Sequence, residues 1–496
     1  MTENTNLSKS DVPLLLQYLA SMGDGGVAEA AQDVNTLRQF YPLPEHARAL
    51  DPHILLVIGD RGAGKTNLFR AIQYPAGIKA ITELASGRSI PQTSQSDWIV
   101  GYDDVGTEHP AGMAFQSFSA GKEISALQHT WLGLLIKRLL KENVLTPTDL
   151  PGQVQNLLNL QNNNLEAIEQ YTRNHLSDLF DVLDALDKSL SSRDRWVFVT
   201  YDALDRVSAS NWEVMRSIIR GLVQFWASNS RRWTRLKPKI FLRRDLFDRV
   251  AISGTDVSKI AAQRVELIWT PTHLYRMILK RMMNSEELVR SYLKDLELSG
   301  EENTDLGWCP GKIDEDHLKE FVKKLCGEFM GAGPNKGRAY TWIPNHLQDG
   351  NGHILPRSFL RLFENAAETE LDHPKAEWPH LIHHTSLRAA VDEVSVNRVM
   401  EITEEIPWIT KVQEYIKQRK DRVPIERRKI ESYLGKIEWG EKDRPPETAG
   451  RDLLNLLIEL GVFYSKGDRK TETRVDVRDI YLQGFGFKRK GGVARA

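Results

Sequence analysis

The chain holds 496 residues, 41% of them hydrophobic, with 66 lysines and arginines against 67 aspartates and glutamates and a formal net charge of -1. That is room for two to four globular domains, and it excludes a global field that recruits nucleic acid or anionic membranes, so any such contact must be a local patch. Only Cys309 and Cys326 are present, with no C-x-x-C, which excludes a disulfide framework and a cysteine-built zinc site. The polar, acidic start Met1-Thr2-Glu3-Asn4-Thr5 and the lack of any eighteen-residue apolar run lead us to expect a soluble, unexported, cytoplasmic protein with no membrane partner.

Residues 11–40 carry two helical patterns, Leu14 to Leu19 and Val27 to Leu37, which precede the core as a possible brace and end at a Tyr41-Pro42-Leu43-Pro44 stop. His53 to Ile58 reads as a buried strand. It feeds Gly59-Asp60-Arg61-Gly62-Ala63-Gly64-Lys65-Thr66, a complete G-x-x-x-x-G-K-[ST] phosphate loop, with Asn67 following at the start of a helix. The glycines let backbone N–H groups converge on the β- and γ-phosphates of a nucleoside triphosphate, Lys65 reaches those phosphates, and Thr66 faces Mg²⁺. Gly59, Gly62, Ala63, Gly64, Lys65, Thr66 and Asn67 are therefore the expected nucleotide-binding residues.

A second strand is expected over Trp98–Tyr102 and a long helix from about Lys122 to Leu140. Residues 147–174 turn rich in Gln, Asn and Leu and read as an insertion rather than core. Helical spacing returns from Leu176 to Leu186, followed by a buried strand over 195–201 and a helix carrying Met215 to Trp226. Lys239–Arg243 and Val265–Ile268 complete five strands. Alternation of strands and helices at this spacing implies a mostly parallel sheet covered on both faces. Past residue 284 the pattern is helical and interrupted by Gly331-Ala332-Gly333-Pro334 and Asp349-Gly350-Asn351-Gly352.

Mg²⁺ on a nucleotide needs a carboxylate at the carboxyl end of a neighbouring strand. Trp196 to Tyr201 ends in Asp202-Ala203-Leu204-Asp205, so Asp202 is the expected metal carboxylate, and Asp205 is the candidate for positioning water or accepting a proton. Arg243, at the tip of the fourth strand, either sees the γ-phosphate or pairs with Asp245 or Asp248. Arg357, beside Pro356 at a helix start, either projects onto the nucleotide or is a solvated first-turn arginine. Asn335-Lys336-Gly337-Arg338 lacks the aspartate of a guanine-reading N-K-x-D, and the histidines at 373, 380, 383 and 384 lack zinc-binding spacing.

The order of phosphate loop, Asp202-Ala203-Leu204-Asp205, arginine-tipped strand and Val265 to Arg281 resembles the AAA+/STAND branch of P-loop ATPases, origin-recognition-type members among them, over roughly residues 50–370. The resemblance implies an α/β fold with a P-loop parallel sheet and a helical lid, ATP and Mg²⁺ as cofactors, Arg243 in the sensor 1 role and Arg357 in the sensor 2 role. Ala203 departs from it, since the usual strand ends in Asp-Glu; hydrolysis is then slow, or Asp205 substitutes. Residues 452–477 read as a helix followed by a hairpin and resemble a winged helix, and 479–493 resembles the endings of uncharacterised bacterial P-loop ATPases, several found near phage-defence genes. Domains are expected at 1–49 (helical segment), 50–283 (ATPase core), 284–372 (helical lid), 373–435 (helical connector) and 436–496 (winged-helix-like module). Lys488, Arg489 and Lys490, with Phe485 and Phe487 for base stacking, make nucleic acid a possible partner of that module, and Arg231 to Lys237 is a second basic candidate. The leading expectation is an ATP-hydrolysing switch, a homo-oligomer, controlling a protein effector. A DNA-binding loader or regulator and a non-hydrolysing scaffold are the alternatives.

Overall fold

The computed structural model describes residues 11–22, 35–85, 90–149, 151–152, 155–208, 211–251, 262–375, 378–440, 443–467 and 474–490. The chain divides into two compact units, Ala31–Leu267 and Ile268–Ala496 with Met1–Ala30.

In the first unit, β1 (Leu56–Gly59), β2 (Ser96–Tyr102), β3 (Trp196–Tyr201), β4 (Leu236–Arg243) and β5 (Arg264–Glu266) form one sheet in the order β2-β3-β4-β1-β5. Every neighbouring pair is parallel. Strands covered on both faces need near-continuous apolar runs, which is what Leu56–Ile58 and Val197–Val199 supply, all of them buried. The fold is thus α/β, with the phosphate-loop strand β1 between β4 and β5 and the Asp202 strand β3 one place further away. Lys239, in the middle of β4, is 1% exposed. Its ammonium donates to the carbonyls of Asp51 and Ile54, which tethers the turn before β1 to β4, and burial lowers its pKa to about 7.

The expected stop holds, since helix Asn35–Gln39 ends just before Tyr41, and Pro44 goes on to open the next helix, Pro44–Leu50, because a first-turn proline gives up no intrahelical hydrogen bond. The Val27 to Leu37 pattern lies largely outside the described residues. Residues 155–174 are core, not an insertion: Leu157, Leu165 and Ile168 join the main apolar cluster, and helix Leu165–Asn174 packs on helix Ile124–Lys141. A methyl at Gly133 would stand 2.8 Å from Ile168 Cγ2, so this glycine permits the approach. The asparagine run that masked the pattern has local work. Asn164 accepts from Ala167 N–H as the helix cap, Asn163 accepts from Ala111 N–H, and Asn162 donates to Glu108 O.

In the second unit, helix Val12–Ser21 packs on helix Pro356–Asp372, and the Tyr18 hydroxyl donates to Arg281 O. A hairpin absent from the sequence expectation, β6 (Gly300–Asn303) and β7 (Gly307–Pro310), is held by the fully buried Lys280, which donates to Leu306 O and Trp308 O. Further on come helix Trp408–Lys417, β8 (Arg422–Val423), β9 (Ile425–Glu426), helix Arg427–Leu434, helix Gly450–Glu459 and the antiparallel pair β10 (Phe463–Lys466) and β11 (Arg474–Val477), with β9 completing a sheet in the order β10-β11-β9. The module is thus two helices with a small three-stranded sheet. Gly450 allows its two helices to touch, since a Cβ there would lie 2.0 Å from Glu431 O. The chain closes with β12 (Lys488–Arg489) parallel to β8. Phe485 and Phe487 are 0% and 2% exposed and pack around Phe463, so they are core side chains and not the base-stacking platform their sequence context suggested. Among the described residues no helix is long and apolar enough to cross a membrane.

If residues 155–174 belong to the core, Ile168→Ala should cost about 2–5 kcal/mol, the usual range for a fully buried large-to-small change. Urea unfolding followed by circular dichroism measures it, and a loss under about 0.5 kcal/mol would return the segment to a surface insertion.

Candidate functional site: the phosphate loop and the strand-tip carboxylates

β1 ends at Gly59, where a Cβ would meet Ala63 Cβ at 3.0 Å, so the loop closes tightly on its own beginning. Gly62 and Gly64 have φ of 84° and 93°, the left-handed region that side chains disfavour, and between them Ala63 is buried against the sheet. Helix Lys65–Ala71 follows at once, with Lys65, Thr66 and Asn67 half-buried at its start. Lys65 Nζ donates to Gly59 O at 2.8 Å and Asp60 O at 2.9 Å. Desolvation lowers its pKa, against the opposite pull of Asp205, Asp202 and Asp60 in that order.

Asp202 is 5% exposed at the tip of β3, where its N–H donates to Tyr102 O at the end of β2. Burial raises its carboxyl from 3.8 to about 6, opposed by hydrogen bonds from Ala203 N–H and the Thr66 hydroxyl and by the charge of Lys65. A hydroxyl and a carboxylate bonded to each other, with no nitrogen or sulfur donor in the pair, suit a hard cation that takes oxygen ligands, so Thr66 and Asp202 fit Mg²⁺.

The turn after Asp202 is unusual. Ala203 has φ 55° and ψ 25°, left-handed for a residue with a Cβ, and it leads into a single 3₁₀ turn, Leu204–Arg206. This brings Asp205 back toward the site, half-buried, with one carboxylate oxygen 3.5 Å from Arg243 Nη1. Arg243, 8% exposed, is at the same time gripped by Asp245 through two hydrogen bonds of 3.1 and 2.9 Å. Of the two readings of Arg243, the pairing with Asp245 is the one seen, and the same guanidinium also faces Asp205.

Sequence reasoning missed two supports. Arg244, the next residue, turns away from Asp205 and bonds Asp60 of the phosphate loop and Glu266 of β5. Arg70, on the phosphate-loop helix, pairs at 2.8 Å with Asp103, just past β2, whose carboxyl burial pushes upward. Asp103 and Asp104 directly follow an apolar strand, which was the available signal. Arg357 lies in the other unit, in the first turn of helix Pro356–Asp372, and shares Glu401 with Arg361 and Arg398. The basic stretch 231–237 is largely self-satisfied: Arg232 is paired with Asp184, Arg235 with Asp194, and Lys237 with Ser230 O and Trp233 O, while Trp233 is buried.

No protein-family model matches this chain, and no curated protein matches it. Among solved structures it is similar to the Walker-type ATPase PABY2304 of Pyrococcus abyssi, at 12% identity over 90% of this chain and 99% of that one, with a TM-score of 0.38. It is also similar to Cdc6p from Pyrobaculum aerophilum (12% identity, 87% and 86% covered, TM-score 0.26) and to the Aeropyrum pernix ORC1 protein in complex with DNA (12% identity, 95% and 88% covered, TM-score 0.29).

The raised Asp202 carboxyl has a pH signature. Its folded pKa of about 6 exceeds the unfolded value of 3.8, so protonation favours folding. That contribution is complete below about pH 4 and is lost as pH rises through about 6, leaving the ionised carboxylate opposing folding by roughly 3 kcal/mol at most. Asp202→Asn should therefore raise the melting temperature of the nucleotide-free protein at pH 8 and hardly change it at pH 4, while removing Mg²⁺-dependent nucleotide turnover. Calorimetry at the two pH values checks the first part; equal shifts at both would contradict the burial argument.

Proposed function

We propose that the chain is a Mg-ATP-binding and hydrolysing molecular switch of the AAA+/STAND kind that controls a partner protein. The observation that carries this reading is the convergence of Lys65, Thr66 and Asp202, in which a phosphate-loop lysine and hydroxyl meet a buried carboxylate at a strand tip. Lys65 exchanges its bonds to Gly59 O and Asp60 O for the β- and γ-phosphate oxygens. Thr66 and Asp202 would hold Mg²⁺, which when bound neutralises charge on those phosphates.

Hydrolysis also needs a group to orient water, and Ala203 offers none. We assign that role to Asp205: its carboxylate faces Lys65 across the site and is oriented by Arg243, itself fixed by Asp245. The Asp205–Arg243 contact of 3.5 Å is long for a charged hydrogen bond, leaving the carboxylate room to turn toward a water molecule.

Two variants separate binding from turnover. Lys65→Ala should lower ATP affinity and reduce turnover roughly a hundredfold or more in a protein with an unchanged circular-dichroism spectrum. Asp205→Asn should keep ATP affinity within about threefold and slow hydrolysis by roughly a hundredfold, the usual contribution of a positioned base. Steady-state phosphate release and ATP titration calorimetry measure both. Parental turnover in Asp205→Asn would remove that residue from the mechanism; parental affinity and turnover in Lys65→Ala would remove the nucleotide site itself.

A further inference from the structure

The corner where β8 meets β12 carries a concentration of positive charge that the nucleotide site does not use. From Lys417 to Lys429 the chain places seven cations, Lys417, Arg419, Lys420, Arg422, Arg427, Arg428 and Lys429, against Asp421 and Glu426. Asp421 is taken by Lys429 at 2.7 Å, and Arg427 is taken by Glu431. Arg489, which the sequence offered to phosphates, is held by Asp476 and Asp479. Lys420, Arg422, Lys488 and Lys490 have no acidic partner among the described residues.

These four stand together. Lys488 and Arg422 are direct partners in the β12–β8 register, Lys488 N–H donates to Asp421 O, and Lys490 N–H donates to Val423 O. A fifth cation, Lys417, touches the chain at Gly486, where a Cβ would meet its Cγ at 2.9 Å. Directly opposed like charges on neighbouring strands destabilise the pair that carries them. Two exposed cations facing each other without a counter-charge are relieved when a polyanion lies across both. Next to them Arg419 is stacked between Tyr415 and Tyr433, at 3.5 and 4.7 Å from their ring centres, which holds its guanidinium flat at the edge of the patch.

We infer that this corner binds the sugar-phosphate backbone of duplex nucleic acid, independently of base sequence. The occupant follows from what the surface lacks. No large hydrophobic side chain between residues 408 and 490 is strongly exposed among the described residues, whereas insertion into a lipid surface and the centre of most protein interfaces require apolar contact. A surface of cations alone attracts a regular polyanion by counterion release.

Fluorescence anisotropy with the full chain and a labelled random-sequence DNA duplex, between about 50 and 200 mM NaCl, tests the inference. Arg422→Glu with Lys488→Glu should weaken binding at least about tenfold and flatten the salt dependence by about two contacts' worth of slope. Lys79→Glu, an exposed change on the other unit, should leave both intact. Lys488→Glu alone should weaken duplex binding while slightly raising the melting temperature, because it turns a repulsive cross-strand pair into an attractive one, a combination that misfolding would not give. Lys65→Ala should bind the duplex as the parent does, so failure of the nucleotide site and failure of this surface are separable. Parental affinity in the double variant, no salt-dependent duplex binding, or binding to phosphatidylserine vesicles in place of the duplex would each overturn the inference.

Discussion

A carboxylate buried where it would rather be neutral is the constraint around which the first unit is arranged. Asp202 is almost wholly buried, and its neighbours come from two other segments: Tyr102 at the tip of β2, and Lys65 and Thr66 at the start of the phosphate-loop helix. Each supplies either a hydrogen bond or opposite charge, and none satisfies it fully, since burial still holds the carboxyl up at about 6. Parallel strands make this possible because all their carboxyl ends open on one side. The residual instability is the physical reason a divalent oxygen-seeking cation would suit that position.

Arg243 and Arg244 show how two adjacent side chains of one type divide the surroundings of that carboxylate. Arg243 ends β4 and Arg244 opens the helix Arg244–Ala251, so the chain changes direction between them. Arg243 accordingly reaches Asp205 and Asp245, while Arg244 reaches Asp60 and Glu266. The first orients a carboxylate on the Asp202 side of the site, and the second braces the phosphate loop from the β5 side. Replacing either by lysine would keep the charge but lose the two-pronged grip on separate partners.

Legibility of the chain followed the strength of local pattern. The five strands, their alternation with helices and the phosphate loop could be read directly, because buried parallel strands are short apolar runs and the loop is a fixed spacing of glycines. Asp202 followed from its place after such a run. What escaped was held by contacts far apart in sequence or by polar residues with structural work: the Asn162–Asn164 run hid a core helix, Lys280 buries a charge to hold a hairpin, and Arg70 finds Asp103 across the site. The aromatic-basic tail misled for a related reason. Phe485 and Phe487 look like a stacking surface beside three cations, but Phe485 sits in the turn that closes helix Asp479–Leu482 and Phe487 just before β12, and both side chains are buried while Lys488 stays outside.

The left-handed backbone of Ala203 bears on how carboxylates can be arranged around this strand tip at all. In that conformation the side chain of residue 203 leaves the backbone in a direction that a regular strand end would not give it, and a longer acidic chain there would carry the same backbone strain without gaining the usual line of approach to the phosphates. Spacing along the sequence is then a poor guide to spacing around the strand tip. A tight reversal after the first aspartate makes the third residue onward the near neighbour. Searches for related chains that demand two adjacent acidic residues would pass over any member built this way, whereas a search that allows a two-residue spacer and an arginine at the tip of the next strand would retain it.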